Sequence, residues 1–172
     1  MRNYEQTFED FAKTVEENFR RDGHIAPLIF IENRKGRLIG IDATKGWEDK
    51  DSFTRWLQHV LKRVKARMIV TISEAWMRRL DGNQRQKYEG PVSKDLDREE
   101  VVILTLETFD TQFIKIWKVG EVMGMRVLIQ VQGELPEGLT FESRFSGDYF
   151  LKSTEGKTDG RHQRGGGHRS NK

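Results

Sequence analysis

The chain contains no cysteine. Disulfides, thiolate zinc sites, iron–sulfur clusters and cysteine nucleophiles are therefore excluded, and nothing indicates an oxidising compartment. No apolar run approaches the roughly 20 residues that cross a bilayer, and the first residues lack the apolar stretch of a signal peptide. We therefore expect a cytoplasmic protein with no membrane partner.

The familiar catalytic motifs are also missing. The sequence has four histidines but no HExxH, no phosphate-binding GxxxxGK[ST] and no G-x-S-x-G. Zinc hydrolases, P-loop enzymes and serine hydrolases therefore have no support, and we predict no cofactor. The sequence leans away from an enzyme without deciding the question.

The positive charge lies mostly at one end of the chain. The net charge is +3, but residues 152–172 hold six basic and two acidic residues. The first 151 residues carry 24 basic and 25 acidic residues and are nearly neutral. Because residues 152–172 have no apolar side chains, they cannot offset the entropy of ordering. We predict one folded domain over 1–151 and a disordered, basic, Gly-rich tail over 152–172.

Apolar periodicity predicts the elements of the domain. An aromatic stripe with helical spacing occupies the first twenty residues, and two β-type runs at 27–31 and 37–41 flank a polar turn with Gly36. A second amphipathic helix follows, with Asp49 or Asp51 as its cap. Its last turns are basic, which suits the negative end of the helix dipole. The stripe consists of Tyr4, Phe8, Phe11, Val15 and Phe19.

The second half of the chain is rich in β-branched residues. It predicts strands at 68–76, 101–107, 113–119 and 126–132. In the last of these we expect Val127, Ile129 and Val131 to face inward on a half-solvated edge strand. The alternate residues, predicted to face outward, are Arg126, Leu128, Gln130 and Gln132. The spacing in 139–151 fits a helix or a strand equally. The predicted fold is α+β: two helices on a mostly antiparallel sheet of five to six strands, in the order α-β-β-α-β-β-β-β.

Glu74 interrupts an apolar row on the strand at 68–76. A buried carboxylate needs a hydrogen bond, a cation or a proton. If this strand pairs with the strand at 101–107, Arg98 comes near Glu74, and we predict an ion pair that pins both ends of the intervening loop. The alternative is a strand-end Glu74 that reaches water. If this ion pair forms, Glu74→Ala should lower the free energy of unfolding more than Glu107→Ala does.

The segment between Trp76 and Arg98 is longer than most loops in compact domains. Its basic and aromatic residues could contact phosphate and stack on a base, although a solvated excursion explains them equally. The tail contains an RGG-like run, for which a solubilising end is the alternative. The candidate nucleic-acid contacts are Arg78, Arg79, Arg85, Lys87, Tyr88, Arg161, Arg164 and Arg169.

A dense acidic group precedes the strand at 101–107. Its oxygens suit Mg²⁺ or Ca²⁺, but the glycine of an EF-hand loop is absent. We predict no metal site, and the weak candidates for one are Asp95, Asp97, Glu99 and Glu100.

The same region carries a resemblance. Glu74-Ala75-Trp76-Met77, a polar loop, Ser93, and Asp97-Arg98-Glu99-Glu100 before an apolar strand resemble a family of small, uncharacterised bacterial and phage-encoded proteins. The likeness covers roughly residues 24–120 and departs at 94–96, where a proline is expected. It implies that five residues act as a unit and supplies no mechanism. They are Glu74, Trp76, Ser93, Arg98 and Glu99.

Three functions fit these observations. The first is a non-enzymatic binding module that docks a protein partner or itself, with a tail that contacts nucleic acid weakly. The second is a metal-dependent enzyme acting on phosphate esters or nucleic acid. The third is a structural subunit of a phage or bacterial assembly that pairs through the strand at 126–132. The sequence favours the first.

Overall fold

The computed structural model describes residues 3–44, 49–79, 92–94, 96–131, 139–143, 145 and 149–150. Within these residues the chain forms two helices, seven strands and a short 3₁₀ turn at Val92–Lys94. The helices are α1 (Tyr4–Asp22) and α2 (Lys50–Val64). The strands are β1 (Leu28–Asn33), β2 (Leu38–Asp42), β3 (Ala66–Arg79), β4 (Glu99–Glu107), β5 (Gln112–Val122), β6 (Met125–Gln130) and β7 (Leu139–Ser143).

The first helix forms where the aromatic stripe predicts it. Asn3 caps its start by accepting a hydrogen bond from the backbone N–H of Gln6. Gly23 ends it in the left-handed region at φ 71°, which glycine adopts without a steric penalty. Phe8, Val15 and Phe19 are buried against the sheet.

The second helix begins after Asp49, one of the two caps that the sequence left open. The Asp49 carboxylate accepts hydrogen bonds from the backbone N–H groups of Asp51 and Ser52. The hydrogen bond from the Ser52 hydroxyl, followed by the one from the Asp51 N–H, lowers the pKa of Asp49. Lys65 ends α2 in the left-handed region. No helix in the described parts of the chain is long and apolar enough to cross a membrane.

The strands form one antiparallel sheet in the order β2-β1-β3-β4-β5-β6. The fourteen residues of β3 pair with β1 along the first half and with β7 along the second, while β4 runs along its other side. Strands β3 and β4 pair, as the predicted contact of Glu74 with Arg98 assumes, and Glu74 lies opposite Val102. Residues 139–143, left open by the sequence, form β7.

The two helices pack on opposite faces of this sheet. The α1 face buries alternate residues of β3, such as Met68, Val70 and Ile72, together with Trp117. The α2 face buries the other set, including Ile69, but α2 packs mainly over β1 and the start of β3. The fold class is therefore the predicted α+β arrangement, with one helix on each side.

The predicted orientation of the edge strand is only partly confirmed: Val131 packs against a buried cluster that includes Ile116, but Leu128 and Ile129 lie on the sides opposite to those predicted. Leu128 packs against the α1 core, and Arg126 lies over the Phe19 ring. Ile129, expected inside, is 53% exposed. The alternation is real, but α1 covers the face of β6 that carries Arg126 and Leu128. The more apolar face of β6 is consequently left toward solvent.

Candidate functional site

Glu74 lies on the α1 face of β3 and is half-buried. Its Oε1 accepts a hydrogen bond of 2.9 Å from the backbone N–H of Ile25, which follows α1. The same oxygen lies 3.9 Å from a guanidinium nitrogen of Arg126, and 30% of the side chain remains accessible. The carboxylate therefore ties the segment after α1 to the sheet, as a paired acid rather than an isolated buried charge.

The cation near Glu74 is Arg126, so the predicted pairing with Arg98 is wrong. The register puts Glu74 opposite Val102, and Arg98 lies four residues before Val102. At about 3.3 Å per residue, that is roughly 13 Å along the strand. The Arg98 guanidinium instead lies over the Trp76 ring, 4.6 Å from its centroid. Arg98 and Trp76 thus do meet, through a cation–π contact.

Arg126 connects four elements. Its guanidinium pairs with Glu100 of β4, approaches Glu74 of β3 and covers Phe19 of α1 at 5.4 Å, while its backbone belongs to β6. A guanidinium suits this position because it can bridge two carboxylates and stack on a ring at once. No local pattern indicates this role, because Arg126 lies 52 positions beyond Glu74, on a strand that β4 and β5 separate from β3.

The remaining members of the predicted unit do not join this cluster. Glu99 lies on the opposite face of the sheet from Glu74 and pairs with Lys118 at 2.8 Å. Ser93 lies in the 3₁₀ turn, and its side chain is outside the described residues. The structure therefore brings together Glu74, Arg126 and Glu100, and separately Trp76 and Arg98.

The acidic group before β4 is divided by strand alternation. Asp97 lies 3.8 Å from Arg78, Glu99 pairs with Lys118, and Glu100 pairs with Arg126. Each of these carboxylates has its own cation, and neighbouring ones point to opposite faces. Asp95 lies outside the described residues. Over the described ranges, no group of three potential metal ligands is present.

Arg78 does not suit the predicted contact with nucleic acid. Its side chain is only 18% exposed and approaches Asp97 at 3.8 Å, so it has little surface to offer a phosphate. The side chain of Arg79 lies outside the described residues, and so do the remaining predicted contacts. Those remaining contacts are Arg85, Lys87, Tyr88, Arg161, Arg164 and Arg169.

Two acids that the sequence did not single out are the most buried carboxylates in the described chain. Glu107 is 1% exposed and accepts hydrogen bonds from the backbone N–H groups of Tyr149 and Phe150. Glu32 is fully buried and pairs with Arg67. A signal for Glu32 was available, because it shares one strand face with Leu28 and Phe30. Neither its partner nor those of Glu107 could be inferred from spacing.

The structure also leaves an apolar surface on the hairpin of β5 and β6. By register, these side chains lie on the α2 face of the sheet, beyond the area that α2 covers. Monomeric proteins rarely expose several neighbouring large apolar groups without a binding role. We call this the hairpin surface, and its exposed members are Val122, Met125 and Ile129.

The hairpin surface borders an open sheet edge. Strand β6 pairs with β5 on one side, and no described strand pairs with its other side. The hairpin turns tightly at Met123 and Gly124, both at positive φ, as in the two-residue turns that match strand twist. An edge of this kind presents free backbone donors and acceptors to a further strand.

No match to this chain was found among protein-family models, curated proteins or solved structures.

Proposed function

We propose that this protein is a non-enzymatic interaction module that associates with a second copy of itself through the edge of β6. The observation that carries the proposal is the hairpin surface, which lies directly beside the open edge. Strand addition supplies backbone hydrogen bonds, and apolar side chains on the paired face supply the hydrophobic contribution.

The sequence of β6 is self-complementary in an antiparallel pair. A two-fold axis through Val127 places Met125 of one copy opposite Ile129 of the other, and Ile129 opposite Met125. Both residues are exposed and lie on the same face. The pairing would join two sheets into one continuous sheet and cover part of both hairpin surfaces.

The charge pattern around Glu74 supports the non-enzymatic part of the proposal. Asp97, Glu99 and Glu100 each lie beside a cation, and Glu74 binds a backbone N–H. A metal-dependent hydrolase would need several of these carboxylates to converge on one ion. Strand alternation separates them instead.

Replacement of one exposed edge residue tests the proposal. Ile129→Lys adds a charge to the β6 edge, and Leu38→Lys on the opposite edge strand β2 is the matched control, at 53% and 47% exposure. We expect sedimentation equilibrium to show a concentration-dependent dimer for the unmodified chain and for Leu38→Lys, and a monomer for Ile129→Lys. A chain that stays monomeric at high concentration contradicts self-association.

The tail forms the second part of the proposal. Residues 152–172 make a weak contact with nucleic acid through Arg161, Arg164 and Arg169, as their charge predicts. In the full chain, replacing all three with glutamine should weaken binding of a labelled oligonucleotide at low salt. Unchanged affinity would remove the tail from the account. The cytoplasmic location and the likeness to bacterial and phage-encoded proteins remain parts of this proposal.

A further inference from the structure

A basic cavity of about 430 Å³ lies at the C-terminal end of α2, away from β6. Three cations and three aromatic residues line it, and no acidic side chain among the described residues does so. No ion pair within the described chain engages these three cations. The six residues are Arg34, Lys62, Lys65, Phe109, Tyr149 and Phe150.

The backbone holds the cations together. The N–H of Arg34, in the β1–β2 turn, donates to the carbonyl of Lys65 at 3.1 Å. Within that turn, the Asn33 side chain accepts from the N–H groups of Lys35 and Arg37 at 3.0 Å. Two segments that are distant in sequence therefore present their basic side chains at one place.

The helix dipole explains only part of this charge. Lys62 and Lys65 lie at the negative end of α2, where cations are favourable for the helix itself. Arg34, Lys35 and Arg37 belong to the hairpin turn between β1 and β2 and not to α2. Arg67, the one nearby cation with a buried partner, is neutralised by Glu32. The surplus positive charge therefore favours an anionic ligand.

An exposed aromatic ring stands at the same cavity. Phe109 is 49% exposed, although one side of its ring contacts Phe150 with centroids 4.6 Å apart. Its turn is fixed, because the N–H of Thr108 donates to the carbonyl of Thr111 at 2.8 Å and the Thr108 hydroxyl donates to Asp110. A ring held in place with an open side is a platform on which a base can stack.

We infer that this cavity binds single-stranded nucleic acid, with phosphates held by Arg34, Lys62 and Lys65 and a base stacked on Phe109. The combination of cations with a fixed aromatic platform distinguishes a single strand from a simple polyanion. The site shares no residue with β6 and does not depend on self-association.

Fluorescence anisotropy of the full chain with a labelled oligothymidine of about 16 nucleotides tests the phosphate contacts. The variant Arg34→Gln/Lys62→Gln is compared with Lys13→Gln/Arg20→Gln, which removes the same charge from α1. Each pair is exposed and includes one cation from the last turn of a helix. We expect about tenfold weaker binding for the first pair. The slope of the logarithm of the binding constant against the logarithm of salt concentration should be smaller in magnitude by about 1.4, because each phosphate contact contributes roughly 0.7. The control pair should bind like the unmodified chain.

Phe109 gives a separate test of stacking. Phe109→Leu keeps an apolar side chain against Phe150 but removes the ring, so binding should weaken about tenfold with an unchanged salt slope. Phe109→Tyr should restore it. Far-UV circular dichroism of every variant should match the unmodified chain, since all the altered side chains are at the surface.

Three results would overturn the inference. One is equal loss in the two charge-matched pairs, which would indicate attraction by net charge alone. Another is full affinity in both Phe109→Leu and Arg34→Gln/Lys62→Gln. The third is binding to phosphatidylserine vesicles that Arg34→Gln/Lys62→Gln abolishes while oligothymidine binding is unaffected, because the cavity would then recognise a membrane surface.

Discussion

The two faces of the sheet differ in charge and in how completely they are covered. Helix α1 carries six acidic and three basic residues, whereas α2 carries one acidic and four basic residues. On the α1 face, ion pairs and a long aromatic stripe join the helix to β3, β4, β5 and β6. On the α2 face, the helix packs over one side of the sheet and leaves the hairpin surface open.

The two faces also differ in how far their charged side chains are engaged in ion pairs. On the α1 face, Arg126 engages both Glu74 and Glu100, so this cluster contributes to the stability of the fold. The α2 side carries cations without ion-pair partners in the described chain, as well as exposed apolar groups. Both proposed binding surfaces therefore lie on the side of the sheet that carries these cations and exposed apolar side chains.

The largest expected effect concerns the buried acids. Glu107→Ala should destabilise the protein by about 2 to 6 kcal/mol, because two buried N–H groups lose their acceptor at about 1–3 kcal/mol each. Glu74→Ala should cost about 1 kcal/mol, since its carboxylate is partly solvated. Urea denaturation measures both, with Glu107→Gln as the isosteric control that retains one acceptor.

That order reverses the expectation from the sequence, which ranked Glu74 above Glu107. Exposure decides it: 30% for the Glu74 side chain against 1% for Glu107. Equal urea midpoints for the two alanine variants would show that the contacts of Glu74 contribute as much to stability as those of Glu107.

A double-mutant cycle sharpens the contrast on the α1 face itself. The pair Glu74→Gln and Arg126→Met should show a coupling of about 0.5–1 kcal/mol, in the range of partly exposed ion pairs. The pair Glu74→Gln and Arg98→Met should be additive, because Arg98 stacks on Trp76 instead. If Glu74 were coupled to Arg98 and not to Arg126, that result would support the ion pair predicted from the sequence.

The smallest effect concerns the start of α2. The folded pKa of Asp49 is lowered, chiefly by the Ser52 hydroxyl, so its stabilisation is present above its unfolded pKa of about 3.9 and is lost as pH falls through the folded value. The melting temperature of Asp49→Ala should therefore be lower than that of the unmodified chain at pH 7. The gap should close in strong acid.

Asp51→Ala is the control, because Asp51 donates its backbone N–H to the cap and leaves its carboxylate outside it. If Asp49→Ala and the unmodified chain differed in melting temperature by the same amount at pH 7 and in strong acid, the carboxylate of Asp49 would not be what stabilises the helix.

Much of the fold followed from sequence periodicity. The stripe of α1, the β1–β2 hairpin and a helix cap at Asp49, one of two candidate caps, rest on local spacing, and the structure confirms them. The predicted sides of Leu128 and Ile129 were wrong because alternation defines two faces but does not say which one a distant helix covers.

The site was much less predictable. Glu74 was correctly placed at a boundary between apolar and polar surroundings, but its cation depends on the register across three strands. The basic cavity combines a turn at Arg34, a helix end at Lys65 and an aromatic ring at Phe109, and only the folded chain brings these together. The hairpin surface likewise depends on where α2 stops covering the sheet.

Self-association through the edge of β6 is tested most directly by hydrogen exchange of the full chain at low and high protein concentration. If two copies pair through β6, the backbone amides of Met125–Gln130 become more protected as concentration rises, whereas those of Leu38–Asp42 on the opposite edge do not change. Protection that stays constant in Met125–Gln130, or rises equally at both edges, would contradict it.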